Sequence, residues 1–288
     1  MKIIFDEAAT AYGSNQHPER PERLLRTVPH LRKVLPELVW ERPVLAGDKA
    51  LLRAHDAAYL ARLQQPTDFD LDTPYYPEID RHARRAAGGA LLAAEMARKG
   101  EPAFSLLRPP GHHATRNQGM GFCYLNSAAT AALAAIADGC ERVAIWDFDA
   151  HHGNGTEAIV AGNQQIVFAS IHQYPCYPGT GSQSFQNIFN WPVPPMTDPT
   201  VHTAKAREAF DRLVGFRPDL LLVSAGFDAY VNDPLTNLRL EAEHFHRFGT
   251  WLSEINIPAA AILEGGYSNK LPGLIESFIR GWAADGRK

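Results

Sequence analysis

Four short segments hold side chains whose types and spacing could do chemistry together. In RPPGHHATRNQGMGFCYLN, Arg108 to Asn126, two histidines stand side by side after Pro109, Pro110 and Gly111. Proline fixes φ and removes a donor, and glycine opens backbone angles closed to other residues. His112 and His113 are therefore expected on a stiff, sharply turned loop. Taken alone, such a pair is more often loop hydrogen bonding than catalysis. In WDFDAHHGNGTE, Asp149 and His151 are two residues apart, which lets both side chains turn toward one point in an extended or tightly turned segment. The same Asp-x-His could instead cap a helix beginning at GNGTEAIV. Asp228, in SAGFDAYVNDP, would complete a set of two carboxylates and one imidazole with a coordination position left open, the pattern of a catalytic rather than a structural metal site. Tyr267, in LEGGYS, follows Gly265 and Gly266, and by itself reads as a turn.

The elements that must position these residues alternate along the chain. Short apolar, β-branched runs predict strands at Lys2 to Phe5, Ala103 to Leu107, Arg142 to Asp147, Gln165 to Ile171, Asp219 to Ala225 and Ala259 to Leu263, with Leu38 to Val44 a weaker candidate. Helical patterns lie between them, at Pro21 to Leu35, His82 to Arg98, Asn126 to Ala137, Ala204 to Val214, Glu241 to Ile255 and Leu271 to Ala284. This alternation is the signature of a parallel sheet covered by helices on both faces. The unusual residues follow the strands each time. His112 and His113 come after the second run, Asp147, Asp149, His151 and His152 after the third, and His172 and Tyr174 after the fourth. Asp228 and Tyr267 follow the last two. In open parallel sheets ligands bind outside the carboxyl ends of the strands, so these clusters are expected on one rim.

Composition bounds the rest. The 288 residues are 45% hydrophobic, with no Gly/Ser linker, charge block or repeat, which predicts one domain spanning 1–288. A net charge of -4 gives no basic footprint for nucleic acid. Cys123, Cys140 and Cys176 form no CxxC pair, arguing against a disulfide framework or thiolate metal site. MKIIFDEAAT carries no long apolar leader, and no apolar run reaches a membrane span, so a cytoplasmic protein is expected.

The strings RPPGHHA, GFCYLN, WDFDAHHGNGTE, YPGTG, SAGFDAYVNDPL and LEGGY resemble, in the same order, the motif set of the histone deacetylase family, and HPERPERL and DTPYYP extend the likeness toward the amino terminus. RPPGHHA, HHGNG and EGGY resemble its class II and bacterial deacetylase-like members. The resemblance implies the arginase/deacetylase fold, an α/β domain around an eight-stranded parallel sheet. It implies a hydrolase that removes acetyl or other acyl groups from acyl-lysine side chains, using Zn(II), with Fe(II) as the other fitting metal, held by Asp149, His151 and Asp228. His113 would be general base and then general acid, with His112 its electrostatic partner. Asp147 would orient His112, and Asn154 would orient His113. Tyr267 would hydrogen-bond the oxyanion. A monovalent cation, K+, would use Asp147, Ser170 and the backbone carbonyls of Asp149, His151 and Ile171. Gly121, Phe122, Tyr177 and Leu235 occupy channel positions, and Asp72, otherwise a turn carboxylate, matches a rim acid that bonds the substrate backbone. Gly265 and Gly266 would let Tyr267 swing inward. His152 and His172 read as hydrogen-bonded structural residues, and His17, His55, His82, His244 and His246 as structural or exposed.

Three other readings stay in view. An acetylpolyamine amidohydrolase would do the same chemistry on a small acetylated amine, but apolar Leu235 and the short segment from Gln64 to Asp80 favour acyl-lysine and a monomer or weak homo-oligomer. An arginase-like enzyme would need carboxylates where Gly153 and Tyr230 stand. A non-catalytic acyl-lysine binder would be expected to lack a ligand, His113 or Tyr267, and all are present.

Overall fold

The runs that are apolar on both faces become the strands of one parallel sheet. In the computed structural model, which describes residues 1–283, these are β1 (Lys2–Ile4), β2 (Val39–Glu41), β3 (Ala103–Ser105), β4 (Val143–Asp147), β5 (Ile166–Gln173), β6 (Ile188–Val193), β7 (Leu220–Ala225) and β8 (Ala259–Leu263). Their spatial order is β2-β1-β3-β8-β7-β4-β5-β6, every neighbouring pair parallel. Strands β4, β5, β7 and β8 are buried throughout, as continuous apolar runs require. The sequence reading passes over β6 because Asn190 and Pro192 argue against a central strand. At the edge of the sheet, where one side of the ladder is unpaired, proline is tolerated. The weak candidate at Leu38 to Val44 becomes β2, the opposite edge.

Among the described residues the helices are α1 (Glu22–Val34), α2 (Asp48–Ala54), α3 (Ala57–Arg62), α4 (Ile79–Arg98), α5 (Ser127–Ala137), α6 (Asn154–Val160), α7 (Pro199–Gly215), α8 (Ala242–Ser253) and α9 (Leu271–Ala283). Helix α7 begins earlier than the pattern predicts. Asp198 caps the Thr200 N–H at 2.8 Å and Pro199 occupies the first turn, overriding the poor helix propensity of Thr200, Val201 and Thr203. The short α2 and α3 lack enough turns to show a period. Ala284, the expected end of the last helix, lies outside the described residues. No helix among the described residues is long and apolar enough to cross a membrane.

The two faces of the sheet pack differently. On one side α4 and α5 present Ala86, Ala90, Ala93, Ala128, Ala131 and Ala132, small side chains that let the helices lie close to the strands. On the other, Trp146 of β4 is fully buried against Phe210 of α7 and Phe248 and Trp251 of α8, with ring centroids 5.0–6.0 Å apart. A smaller core of Tyr12, Leu51, Tyr59, Leu63, Tyr124 and Leu125 lies under the loop that carries Asp72.

Helices α8 and α9 cross where Gly249 meets the Phe278 carbonyl and Gly281 meets the His246 carbonyl, both closer than a Cβ would allow. Alanine is the better helix former by about 1 kcal/mol, yet at this crossing it must push the helices apart. Gly281→Ala should therefore lower stability by about 1–3 kcal/mol in urea denaturation. An unchanged midpoint would show that the crossing is not tightly packed.

Candidate active site

Hydrogen bonds on both sides hold the turn after β3. Gly111 and His112 donate their backbone N–H groups to the Glu264 carboxylate at 2.6 and 3.1 Å. The His112 carbonyl accepts from Gly155 and Thr156 in the first turn of α6 at 3.0 and 3.1 Å. This fixes both rings: His112 Nδ1 meets Asp147 Oδ2 at 3.1 Å, and His113 Nδ1–H donates to Asn154 Oδ1 at 2.7 Å. The bond to Asn154 leaves His113 Nε2 as the ring's acceptor, on a side chain that lines a cavity.

Beside the pair, the ends of β4 and β7 bring Asp149, His151 and Asp228 together, with one ligand atom from each within 4.8 Å of the others. His151 Nδ1 stands 2.8 Å from Asp228 Oδ2 and 3.2 Å from Asp149 Oδ1. The two carboxylates are completely buried. Their other hydrogen bonds come from backbone donors, His151 and Gly265 to Asp149 at 2.9 and 2.7 Å and Ala150 to Asp228 at 2.8 Å, and the His112 ring stands 3.7 Å from Asp149. Among the described residues, no lysine or arginine forms an ion pair with either. Two adjacent buried carboxylates with one imidazole between them, and no lysine or arginine to balance them, suit a divalent ion of the N/O-binding type. Gly265 makes this closeness possible, since a Cβ there would stand 2.5 Å from oxygens of both aspartates.

The electrostatics divide the two histidines. Burial works against charge on His112, but the Asp149 and Asp147 carboxylates outweigh it and raise the ring to about 10. Burial, then the positive charges of His112 and His151, hold His113 well below its ordinary value. The adjacent rings thus sit in opposite protonation states, one charged and one neutral. Burial and the Asp149 charge raise Asp228, whereas His112 and His151 overcome burial to pull Asp149 down. Burial raises the Tyr267 phenol well above its usual range.

His113, His151 and Tyr267 open onto a cavity of about 410 Å³ whose walls include Asp72, Gly121, Phe122, Tyr177 and Leu235. The Tyr177 ring stands edge-on to His113 at 5.1 Å, and the Phe122 ring edge-on to Tyr267 at 5.6 Å. Gly121 and Phe122 both have positive φ, 57° and 69°, and Thr73 Oγ1 accepts the Phe122 N–H at 3.0 Å. A side chain at Gly121 would run into His113 and Tyr177, so the channel requires glycine there. Asp147 and Asn154 stand behind the rings. Asp147 pairs in register with Ser170 of β5, next to Ile171, all three buried. Gly265 and Gly266 lie outside the cavity wall, Gly265 against the two aspartates and Gly266 against Phe227 and Leu271.

Several neighbours escape the sequence reading. His17, expected to be structural or exposed, lines the cavity and stands edge-on to Phe122 at 4.6 Å; its place in HPERPERL was the available signal. Cys176 lines the cavity too. His152 and His172 are hydrogen-bonded structural residues as expected, to Thr180 and Glu157 and to Ser170 and Gly181. His55 donates through Nδ1 to the Thr115 carbonyl and accepts the Asn126 N–H at Nε2. Asn126 in turn donates to the Ala114 carbonyl and Thr156 Oγ1, tying the histidine loop to α5 and α6.

A model of the family described as histone deacetylase domain matches residues 17–281. A probable deacetylase of Archaeoglobus fulgidus is 36% identical, over 92% of this chain and 81% of its own length. Acetylpolyamine amidohydrolase 1 of Pseudomonas aeruginosa is 32% identical, over 79% of this chain and 80% of its own. The crystal structure of the HDA15 HD domain superposes with a TM-score of 0.92 at 30% identity, covering 99% of this chain and 91% of that one.

Two measurements probe the geometry. Dialysed protein should take up one Zn(II) per chain with a rise in Tm, and Asp149→Asn and Asp228→Asn should each abolish the uptake; uptake retained in both would dismiss this ligand set. Burial lowers His55 to about 4, so below the ordinary histidine pKa of about 6.5 the unfolded chain binds a proton that the folded chain refuses. Its contribution is complete above pH about 6.5 and lost as pH falls to about 4, worth up to roughly 3 kcal/mol. Urea denaturation at stepped pH should show a shallower acid loss in His55→Gln than in wild type.

Proposed function

The chain belongs to the histone deacetylase family, and from that premise we propose that it hydrolyses the amide of acyl-lysine side chains, with Asp149, His151 and Asp228 holding Zn(II). Such an ion would polarise the amide carbonyl and acidify the attacking water. His113 Nε2 takes the proton of that water and returns it to the departing amine, so the C–N bond breaks and leaves a carboxylate and free lysine. His112, charged between Asp147 and Asp149, keeps its neighbour neutral and offsets negative charge as it develops. Tyr267 keeps its proton and donates it as a hydrogen bond to the oxyanion. Because Asn154 replaces a carboxylate on Nδ1, His113 is a weaker base than an aspartate partner would make it.

Phe122, Tyr177, Leu235 and Gly121 wall the lysine stem, Asp72 accepts from the substrate backbone, and Gly265 and Gly266 let Tyr267 close on the acyl carbonyl. Asp147, Ser170 and the carbonyls of Asp149, His151 and Ile171 hold K+. The three free cysteines fit a reducing compartment, the cytoplasm. One observation carries the reading: His113 has its far nitrogen committed to Asn154 and its ring in the cavity beside His151. The relative named acetylpolyamine amidohydrolase supports a second reading, in which the amine is a small acetylated polyamine; apolar Leu235 at the wall favours the acyl-lysine stem.

The zinc-loaded protein should release lysine from an acetyl-lysine peptide. His113→Ala should lower kcat by about 10²–10⁴, and Tyr267→Phe by about 10²–10³. A kcat/KM about a hundredfold higher for an N-acetylpolyamine, roughly 2.7 kcal/mol, would reverse the order of the two readings. Full activity in His113→Ala would end both.

A further inference from the structure

Glu264 is completely buried, and the acid–base chemistry makes no use of it. Its carboxylate meets three donors from two segments: the Gly111 and His112 N–H groups on Oε2, and the Ser224 hydroxyl on Oε1 at 3.2 Å. Its backbone N–H donates to the Ala225 carbonyl at 2.9 Å, and its carbonyl accepts from the Arg23 guanidinium. One residue therefore connects the histidine turn, the end of β7 and the segment leading to Tyr267. The turn has little other freedom on its amide side. A Cβ at Gly111 would stand 2.7 Å from the Leu125 carbonyl oxygen and from the Ser127 nitrogen, and α6 holds the turn from the carbonyl side.

We propose that Glu264 is a positioning residue: its carboxylate clamps the Gly111–His112 backbone against the start of α6, and so sets where the His113 ring stands relative to the substrate amide. This inference builds on the amidohydrolase reading. The position of the acceptor oxygen matters rather than the charge. Glutamine can keep that arrangement, with its carbonyl oxygen accepting the two backbone N–H groups and its amide donating to Ser224, whose hydroxyl also accepts. Aspartate keeps the charge but is one methylene too short to reach both donors.

The test compares Glu264→Gln, Glu264→Asp and Glu264→Ala as zinc-loaded enzymes, normalised to measured metal content, on the acetylated substrate that the wild type turns over. Displacement of a reacting group by about 1 Å can cost about a hundredfold. Alanine and aspartate should lose on that order in kcat, with KM nearly unchanged because Glu264 does not line the cavity; glutamine should recover most of the loss. Aspartate more active than glutamine would overturn the proposal in favour of a charge effect, as would losses that track Tm alone. Should alanine fail to fold, the order of the other two decides. The amide protons of Gly111 and His112 give a readout that needs no turnover. They should lie far downfield in the wild type, stay there in Glu264→Gln and move upfield in Glu264→Asp; unchanged shifts in Glu264→Asp would deny the clamp. A wild type that cleaves neither acetyl-lysine peptide nor acetylpolyamine would defeat the amidohydrolase reading, while these shifts would still decide whether Glu264 holds the turn.

Discussion

Three carboxylates, Asp147, Asp149 and Asp228, are fully buried at the ends of β4 and β7, and much of the surrounding architecture serves to make that tolerable. An uncompensated buried charge costs several kcal/mol, so each must be met by donors or cations. Asp147 accepts the Asp149 N–H, Asp149 accepts from His151 and Gly265, and Asp228 accepts from Ala150. The imidazoles of His112 and His151 supply the remaining contacts. Glycine recurs because donors can reach these oxygens only where no side chain stands in the way. At Gly153, Gly226 and Gly265 a Cβ would overlap or crowd the carboxylates.

The same constraint divides the histidine pair. Both rings are buried and lie 4.0 Å apart, so two adjacent charges would be costly, and the carboxylates decide which ring carries one. His112 faces Asp147 and Asp149; the hydrogen-bond partner behind His113 is the neutral amide oxygen of Asn154. A neutral ring beside a charged one is free to accept a proton, as the proposed acid–base chemistry asks of His113. The asymmetry comes from what stands behind the rings, since the rings themselves are chemically identical.

Distant parts of the chain hold the cavity wall in place. Arg108, wholly buried, forms a two-pronged pair with Glu19. Glu19 also pairs with Arg23, whose guanidinium lies 4.9 Å over the Tyr267 ring. This network joins the HPERPERL segment to the RPPG turn and to the tyrosine loop, and it brings His17 to the cavity. Asp233 adds a second tie, accepting from Leu235, Tyr267 and Ser268. Burial and the nearby Asp228 charge push it up to about 7. Residues on the wall are thus held by buried ionic and hydrogen-bonded ties, while the small aromatic core under Phe69 and Tyr75 supports the rim.

The sequence by itself determined the strand-and-helix alternation, the clustering of reactive residues after strand ends, and the placing of Asp149 beside His151 in one candidate cluster. These are local signals: continuous apolar runs, turn residues, and short-range spacing within WDFDAHHGNGTE. The edge strand β6 was not legible, because Asn190 and Pro192 are poor strand formers that only an edge position excuses. Nor were α2 and α3, too short to show a period. Only the tertiary structure decided which buried groups face one another. Glu264, Asp233 and Asn126 look like ordinary loop residues until segments far apart in sequence bring their partners within hydrogen-bond range, and Cys176 and His17 until folding brings them to the cavity wall. The protonation states of His112 and His113 depend in the same way on their burial and on the charges of Asp149, Asp147 and His151, more than thirty residues away. Such long-range contacts leave no periodic trace, since their spacing is set by sheet order rather than by the repeat of any helix or strand.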